Sequence, residues 1–207
     1  MDEDNLKEFA DPYYEIPSES WEMFNDFLRP KSFKKNEVIK LQHKNESHLY
    51  LITKGSSGHF VYKYGHDICI DLCFEGDFTG DYYSILLQLN AFSGKMKDLP
   101  SANQIILSSP IYVMALEPTE TMSLAKDDLL KLYKQPVHGH RIARMIAEVL
   151  YLQKQTQQIE LLTLTAKQRY QKLLEKQPNI LQRTANKHIA SFLGITPESF
   201  SRIRKEI

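Results

Sequence analysis

The stretch that decides the fold is Thr184-Ala185-Asn186-Lys187-His188-Ile189-Ala190-Ser191-Phe192-Leu193-Gly194-Ile195-Thr196-Pro197-Glu198-Ser199-Phe200-Ser201-Arg202-Ile203-Arg204-Lys205-Glu206-Ile207. It reads as two short helices joined by a tight turn. Thr184 has the chemistry of an N-cap, and Ile189, Phe192 and Leu193 supply one apolar face. Gly194 follows the last apolar residue, where a helix end favours the left-handed conformation. Thr196 caps the second helix, and Pro197 takes its first position, where a missing N–H costs nothing. Phe200, Ile203 and Ile207 share one face of that helix; Glu198, Ser201, Arg202 and Lys205 lie roughly opposite. Ala190 is small where the two helices cross. This is a helix-turn-helix pattern with a polar, partly cationic outer face. Amphipathic helix pairs are common and many bind nothing. The offsets of Ala190, Gly194, Phe200 and Ile203, with both caps, separate this pair from such a background.

Charge points the same way. The 207-residue chain has a formal net charge of zero, yet residues 161–207 carry nine Lys/Arg against three acids, a net of +6. The remaining 160 residues carry 17 bases against 23 acids. A basic module on an acidic body suits a polyanion partner for the module alone.

Upstream, Thr165-Ala166-Lys167-Gln168 has the capping-box form for a helix through Lys176, closed by Pro178. Thr163-Leu164 forms a hinge. Before it runs a long helix from about Val137 to Leu161. Its Ile142, Met145, Val149, Leu152 and Ile159 follow a coiled-coil seam, which reads as a homodimer axis. Ile146 and Leu150 widen the stripe at its start for docking on the preceding domain. A buried intramolecular helix is the competing reading. A short helix from Ala125 to Tyr133 precedes it and is broken by Pro136.

From Ser32 to about Leu116 the period falls to two. Strands are expected at 38–41, 48–52, 58–63, 67–72 and 111–116, separated by turns such as Lys54-Gly55 and Glu75-Gly76-Asp77. Many short strands at this spacing argue a β-barrel or jelly roll. A short helix is expected over Tyr82–Leu89. An N-terminal helix carries Trp21, Phe24, Phe27 and Leu28, is capped by Ser18 or Ser20, and ends at Pro30. The fold class is therefore α+β. Three units are expected: a sensor domain over 1–135, a dimerisation helix over 136–162 and a helix-turn-helix domain over 163–207.

Other chemistries find little support. Cys69 and Cys73 lack the companions of a zinc or iron–sulfur site and read as buried thiols. No metal is expected. Asp67, Asp71, Asp77 and Asp81 cluster in sequence, but no nucleophile–base pair accompanies them, so no catalytic residues and no enzyme activity are expected. Few cysteines, no signal peptide and no apolar run of about 20 residues point to the cytoplasm and away from a membrane. A ligand-binding module whose C-terminal domain binds protein is the alternative function, separable by a gel shift.

The order of acidic β domain, long helix and basic helix-turn-helix resembles the Crp/Fnr superfamily of bacterial transcription regulators. Leu49-Tyr50-Leu51-Ile52-Thr53-Lys54-Gly55 and Gly76-Asp77-Phe78-Thr79-Gly80 look like the glycine-marked turns of its cyclic-nucleotide-binding domain. Thr165–Tyr170 and Ile189–Arg202 look like the C-terminal domain of the branch common in Bacteroidetes. The resemblance implies a homodimer on double-stranded DNA, with RNA polymerase a further partner. Glu198, Ser201 and Arg202 look like the base-reading set of the oxygen-regulator branch. Arg202 would donate to guanine, Glu198 accept from a cytosine amino group, and Ser201 touch a base or its methyl. Thr196 and Ser199, at the helix start, are expected as further DNA contacts, Thr196 near phosphate, and Lys187, His188 and Lys205 are expected on phosphates.

Departures bear on the effector. Gly80-Asp81 stands where the family's Gly-Glu pair meets the ribose. Pro100-Ser101-Ala102 stands where an Arg-Ser pair meets the cyclic phosphate. Without that guanidinium the bidentate phosphate contact is missing. Gly80, Asp81 and Ser101 are the candidate effector pocket, with Lys95 or Lys97 as substitute point charges. Cyclic AMP and cyclic GMP are expected to be poor ligands, and the small effector is left unknown. No cysteine precedes Cys69 to hold an iron–sulfur cluster. His43, His48, His59, His66, His138 and His140 read as ordinary surface or capping residues rather than haem ligands, so no cofactor is expected.

Overall fold

The computed structural model describes residues 16–92 and 109–207. Lys95, Lys97, Pro100 and Ser101, expected at the effector pocket, lie outside the described residues.

Helix α1 (Ser18–Phe27) starts after Pro17 with no side-chain cap, contrary to the expectation for Ser18 or Ser20. The Ser20 hydroxyl instead pairs with His138 Nδ1 at 2.7 Å. Nor does Pro30 end the helix. Leu28 already begins strand β1 (Leu28–Phe33), and Pro30 is tolerated because β1 lies at a sheet edge. The strands that follow are β2 (Val38–Lys40), β3 (His48–Lys54), β4 (Ser57–Lys63), β5 (His66–Cys73) and β6 (Phe78–Thr79). Helix α2 (Tyr82–Phe92), β7 (Ile111–Ala115) and β8 (Thr119–Ala125) complete the domain.

These strands form two four-stranded antiparallel sheets, ordered β1-β8-β3-β6 and β2-β7-β4-β5. This is the jelly-roll alternative, and the closed barrel is corrected: β1, β6, β2 and β5 are left as edges. Alternation along β4 aims His59 between the sheets and Phe60 out of the second one. His59 is therefore a buried core residue, not a surface one. Its Nε2 lies 3.0 Å from Thr79 Oγ1, which also meets Ser57 Oγ at 2.7 Å.

After the sandwich come α3 (Lys126–Lys134), α4 (His138–Thr163), α5 (Ala166–Lys176), α6 (Ile180–Arg183), α7 (Asn186–Phe192) and α8 (Pro197–Lys205). Two large apolar clusters result. In the first, α1, α3 and the start of α4 pack on the β1-β8-β3-β6 sheet, with Trp21, Phe24, Leu49, Leu124, Leu132 and Ile146 at its centre. The second joins Phe60 and Cys69 of the other sheet, and Phe74 just after β5, to Tyr170, Ile189 and Phe200 of the C-terminal helices. The C-terminal module is thus docked on the sandwich.

This packing corrects the seam on α4. Ile142 and Met145 are fully buried within their own chain, in the first cluster, and cannot reach a second copy in this arrangement. Val149 packs on the margin of that cluster. Leu152 and Ile159 are 56% and 51% exposed, beside exposed Tyr151, Leu161 and Leu162. The seam is divided: its N-terminal half is core, its C-terminal half is open. Helix α4 is entered through Val137, at φ 64 and ψ −72, with His138 N–H donating to Pro136 O at 2.8 Å. That is a γ-turn, a strained conformation for a β-branched residue.

Candidate nucleic-acid interface

The C-terminal module is built by local capping. Thr165 Oγ1 accepts from Gln168 N at 3.3 Å, and Gln168 Oε1 accepts from Thr165 N at 2.9 Å, the reciprocal capping box of α5. At α8 the Thr196 hydroxyl accepts from Ser199 N at 3.2 Å, with Pro197 in the first turn. Thr184 does not cap α7: its N-cap is Ala185, and Thr184 ends α6 with its hydroxyl buried and unpartnered. Gly194 turns the chain between α7 and α8 at φ 68, a backbone state open to glycine.

Phe200 is buried against Tyr170, ring centroids 5.0 Å apart and nearly perpendicular, and this fixes the rotation of α8. Glu198, Ser201, Arg202 and Lys205 are consequently exposed, as are Thr196 and Lys187. Ser199 is half-buried, its hydroxyl 3.2 Å from Thr196 Oγ1, so it belongs to the cap rather than to the outer face. Glu198 sits on the free N–H groups of the helix start. Its own backbone N–H, the Thr196 hydroxyl and, less, Arg202 hold its carboxyl below the usual range.

His188 departs from its expected place on phosphate. It is buried against the sandwich, its ring 4.8 Å from that of Phe60. Burial and then Lys187 lower its pKa, while Asp67 opposes them, so the ring is kept neutral. Nearby, Lys187, Thr196 and Pro197 face His66, Asp67 and Ile68 of β5 across a cleft.

The junction has polar anchors that the sequence pattern did not signal. Strand β5 is an edge, and α7 covers it: Cys69 N–H donates to Ser191 Oγ at 2.8 Å. Arg183, at the end of α6, donates to Glu75 at 2.7 Å, to Glu117 at 2.9 Å and to Gly55 O at 3.0 Å. Lys154 of α4 pairs with Asp71, and Gln153 donates to Asp77 at 3.0 Å. Cys69 and Cys73 are free and buried, and burial raises both thiols above their ordinary value.

The candidate effector residues sit elsewhere in the sandwich. Gly80 has φ 103, and a Cβ there would meet His48 O at 3.0 Å. Asp81 is buried with Lys40, whose ammonium donates to Asp81 Oδ2 at 2.7 Å and to Ile111 O at 2.6 Å. The other oxygen, Oδ1, accepts from Ser84 N at 3.0 Å and starts α2. Glu46 is buried alongside and accepts from Ser47 N and His48 N at 2.8 and 3.1 Å. Burial raises its carboxyl despite those donors. Asp81 is thus already committed on both oxygens.

Among the described residues no group of three or more His, Cys, Asp or Glu is placed to hold a metal. No described helix is long and apolar enough to cross a membrane.

No protein-family model matches the chain, and no curated protein matches it. Solved structures share its fold. FixK2 of Bradyrhizobium japonicum is 16% identical, with a TM-score of 0.64 over 86% of this chain and 83% of that one. The c-di-GMP-responsive global regulator CLP of Xanthomonas campestris is 14% identical, with a TM-score of 0.62 over 92% and 91%. The catabolite activator protein of Thermus thermophilus is 18% identical, with a TM-score of 0.50 over 98% and 85%. The fold is therefore that of the Crp/Fnr regulators: a cyclic-nucleotide-binding-type sandwich, a long helix and a helix-turn-helix domain.

Proposed function

We propose that this chain is a homodimeric, sequence-specific DNA-binding transcription regulator of the Crp/Fnr type whose sensor sandwich does not take cyclic AMP. The observation that carries the reading is α8: capped by Thr196, pinned by Phe200, and presenting Glu198, Ser201 and Arg202 on its free face. Its N-terminus would enter the major groove. Arg202 would read guanine and Glu198 a cytosine amino group, while Lys187 and Lys205 hold phosphates. The fold shared with the global regulator CLP and the +6 balance of residues 161–207 support it. In this reading the sensor spans 1–135, the dimerisation helix 136–162 and the DNA-binding unit 163–207. Exposed Leu152, Ile159 and Leu162 on α4 supply the two-fold contact in this reading. Two copies would read a palindrome with half-sites about 34 Å apart.

Lys40 is the argument against cyclic AMP. A ribose hydroxyl at Asp81 would have to displace an ammonium from a buried carboxylate, which strands a charge.

The test is to select an operator from random duplexes and then measure anisotropy on selected and scrambled sites. Arg202→Ala should lose about 1–3 kcal/mol on the selected site and little on the scrambled one. Lys187→Ala should weaken both and flatten the salt dependence. Equal losses on both sites for Arg202→Ala would falsify its role as a base reader.

A further inference from the structure

We propose that the cleft between β5, the end of α4 and the helix-turn-helix module binds a small amphipathic anion: one anionic head group on an apolar body. The cleft encloses about 440 Å³, within the range of about 300–1,000 Å³ typical of small-molecule sites. Ile68, Ile70, Leu161, Leu173 and Phe192 give it an apolar lining. Four cations stand on it, Lys154, Arg169, Lys172 and Lys176, against the single carboxylate of Glu160.

The balance of these charges identifies the head group. Lys154 is paired with Asp71, and Lys172 with Glu160 at 2.7 Å. Arg169 and Lys176 have no carboxylate partner among the described residues. The Arg169 guanidinium donates only to backbone carbonyls, those of Leu161, Leu164 and Leu193, and its Nε is buried with no partner. The Arg169 charge is met by carbonyl dipoles at the helix ends and by no carboxylate, and with the unpaired Lys176 it leaves the cleft a positive field that favours an anion. The apolar lining then selects an anion with a hydrophobic body over inorganic phosphate. Such a ligand touches sandwich, long helix and DNA-binding module together, so it would hold the docked arrangement. It occupies none of the residues around Lys40 and Asp81.

The experiment uses the full chain without DNA, so failure of this site and failure of DNA binding are separate results. The anionic probe is anilinonaphthalene sulfonate, its neutral counterpart is N-phenylnaphthylamine, and dodecanoate is the competitor. Expected are saturable sulfonate binding, one per chain, and displacement by dodecanoate. Lys176→Glu, at an exposed position that leaves the fold intact, should weaken the sulfonate about tenfold and leave the neutral amine unchanged. Ile70→Trp should fill the cleft and block both. Sulfonate binding that ignores both variants would overturn the proposal. So would equal affinity for the neutral amine in the unmodified chain, which would mean a merely apolar patch. Binding seen only when dimers dissociate would assign the cleft to a second copy's helix and equally overturn it.

Discussion

Replacing Arg183 by alanine tests whether the C-terminal helical module is held on the sandwich by a defined clasp. Arg183 reaches Glu75, Glu117 and the Gly55 carbonyl at once, and its guanidinium lies 5.2 Å from the Phe74 ring centroid. The side chain is 18% exposed, those of Glu75 and Glu117 33% and 26%. Exposed pairs contribute up to about 1 kcal/mol, and breaking a buried pair costs about 3–5 kcal/mol. At this intermediate exposure, with two carboxylates left facing each other, the loss should be about 2 kcal/mol, or roughly 30-fold in the docking equilibrium. Hydrogen exchange at the Cys69 amide reads it, because that N–H is donated across the junction to Ser191 Oγ. Exchange there should accelerate about 30-fold in Arg183→Ala. The acid dependence supplies a second reading. Burial pushes the Glu75 carboxyl up, but the Arg183 hydrogen bond and backbone donors outweigh it, so the net shift is downward. A carboxyl lowered by folding stabilises above its unfolded value and loses that contribution as pH falls through the lowered one. The natural junction should therefore loosen below about pH 4.5, and the variant should lose this dependence. Release also frees His188 from Phe60, so affinity for non-specific duplex should rise although a cation has been removed. Unchanged Cys69 protection together with an unchanged acid limb in Arg183→Ala would refute the clasp.

Three further outcomes are expected. Lys40→Met should destabilise the sandwich by about 3–5 kcal/mol by stranding Asp81, and Lys40→Met with Asp81→Asn should recover most of it in chemical denaturation. An additive double variant would mean that the pair is not coupled. Val149→Glu with Leu152→Glu should give monomers by light scattering and weaken operator binding with them, whereas Ile142→Glu should unfold the chain, since Ile142 is core. Dimers that persist in the first variant would place the two-fold contact elsewhere. The last concerns pH. Burial lowers His59 to about 4, so its contribution is lost as pH falls from about 6.5. Burial also raises Asp77 to about 6, so its contribution grows over the same range and offsets the first. Asp77→Asn should expose an acid-side loss of about 3 kcal/mol between pH 6.5 and 4, and identical slopes in both proteins would contradict the assignment.

Where the sequence decided the structure, the deciding interactions were local. Thr165 with Gln168, and Thr196 with Pro197, cap the helices that follow because the partner groups lie within one turn. The helix-turn-helix and most strands were legible for that reason and from apolar periodicity. Strands β1, β6 and β8 were not: β1 opens at Leu28, inside the apolar stripe of α1, the two residues of β6 carry no period, and β8 buries Thr119, Thr121 and Ser123 in place of an apolar face. Periodicity shows that a face of α4 is apolar and is silent on what covers it. Only the tertiary structure assigned Ile142 and Met145 to the chain's own core and left Leu152 and Ile159 open. The same holds for polar groups. His188 reads as a phosphate contact until Phe60, far away in sequence, is brought against its ring. Asp81 reads as a free ligand-binding carboxylate until folding sets Lys40 on it, 41 residues distant. Burial and charge pairing depend on which distant segments meet, and no local pattern encodes that.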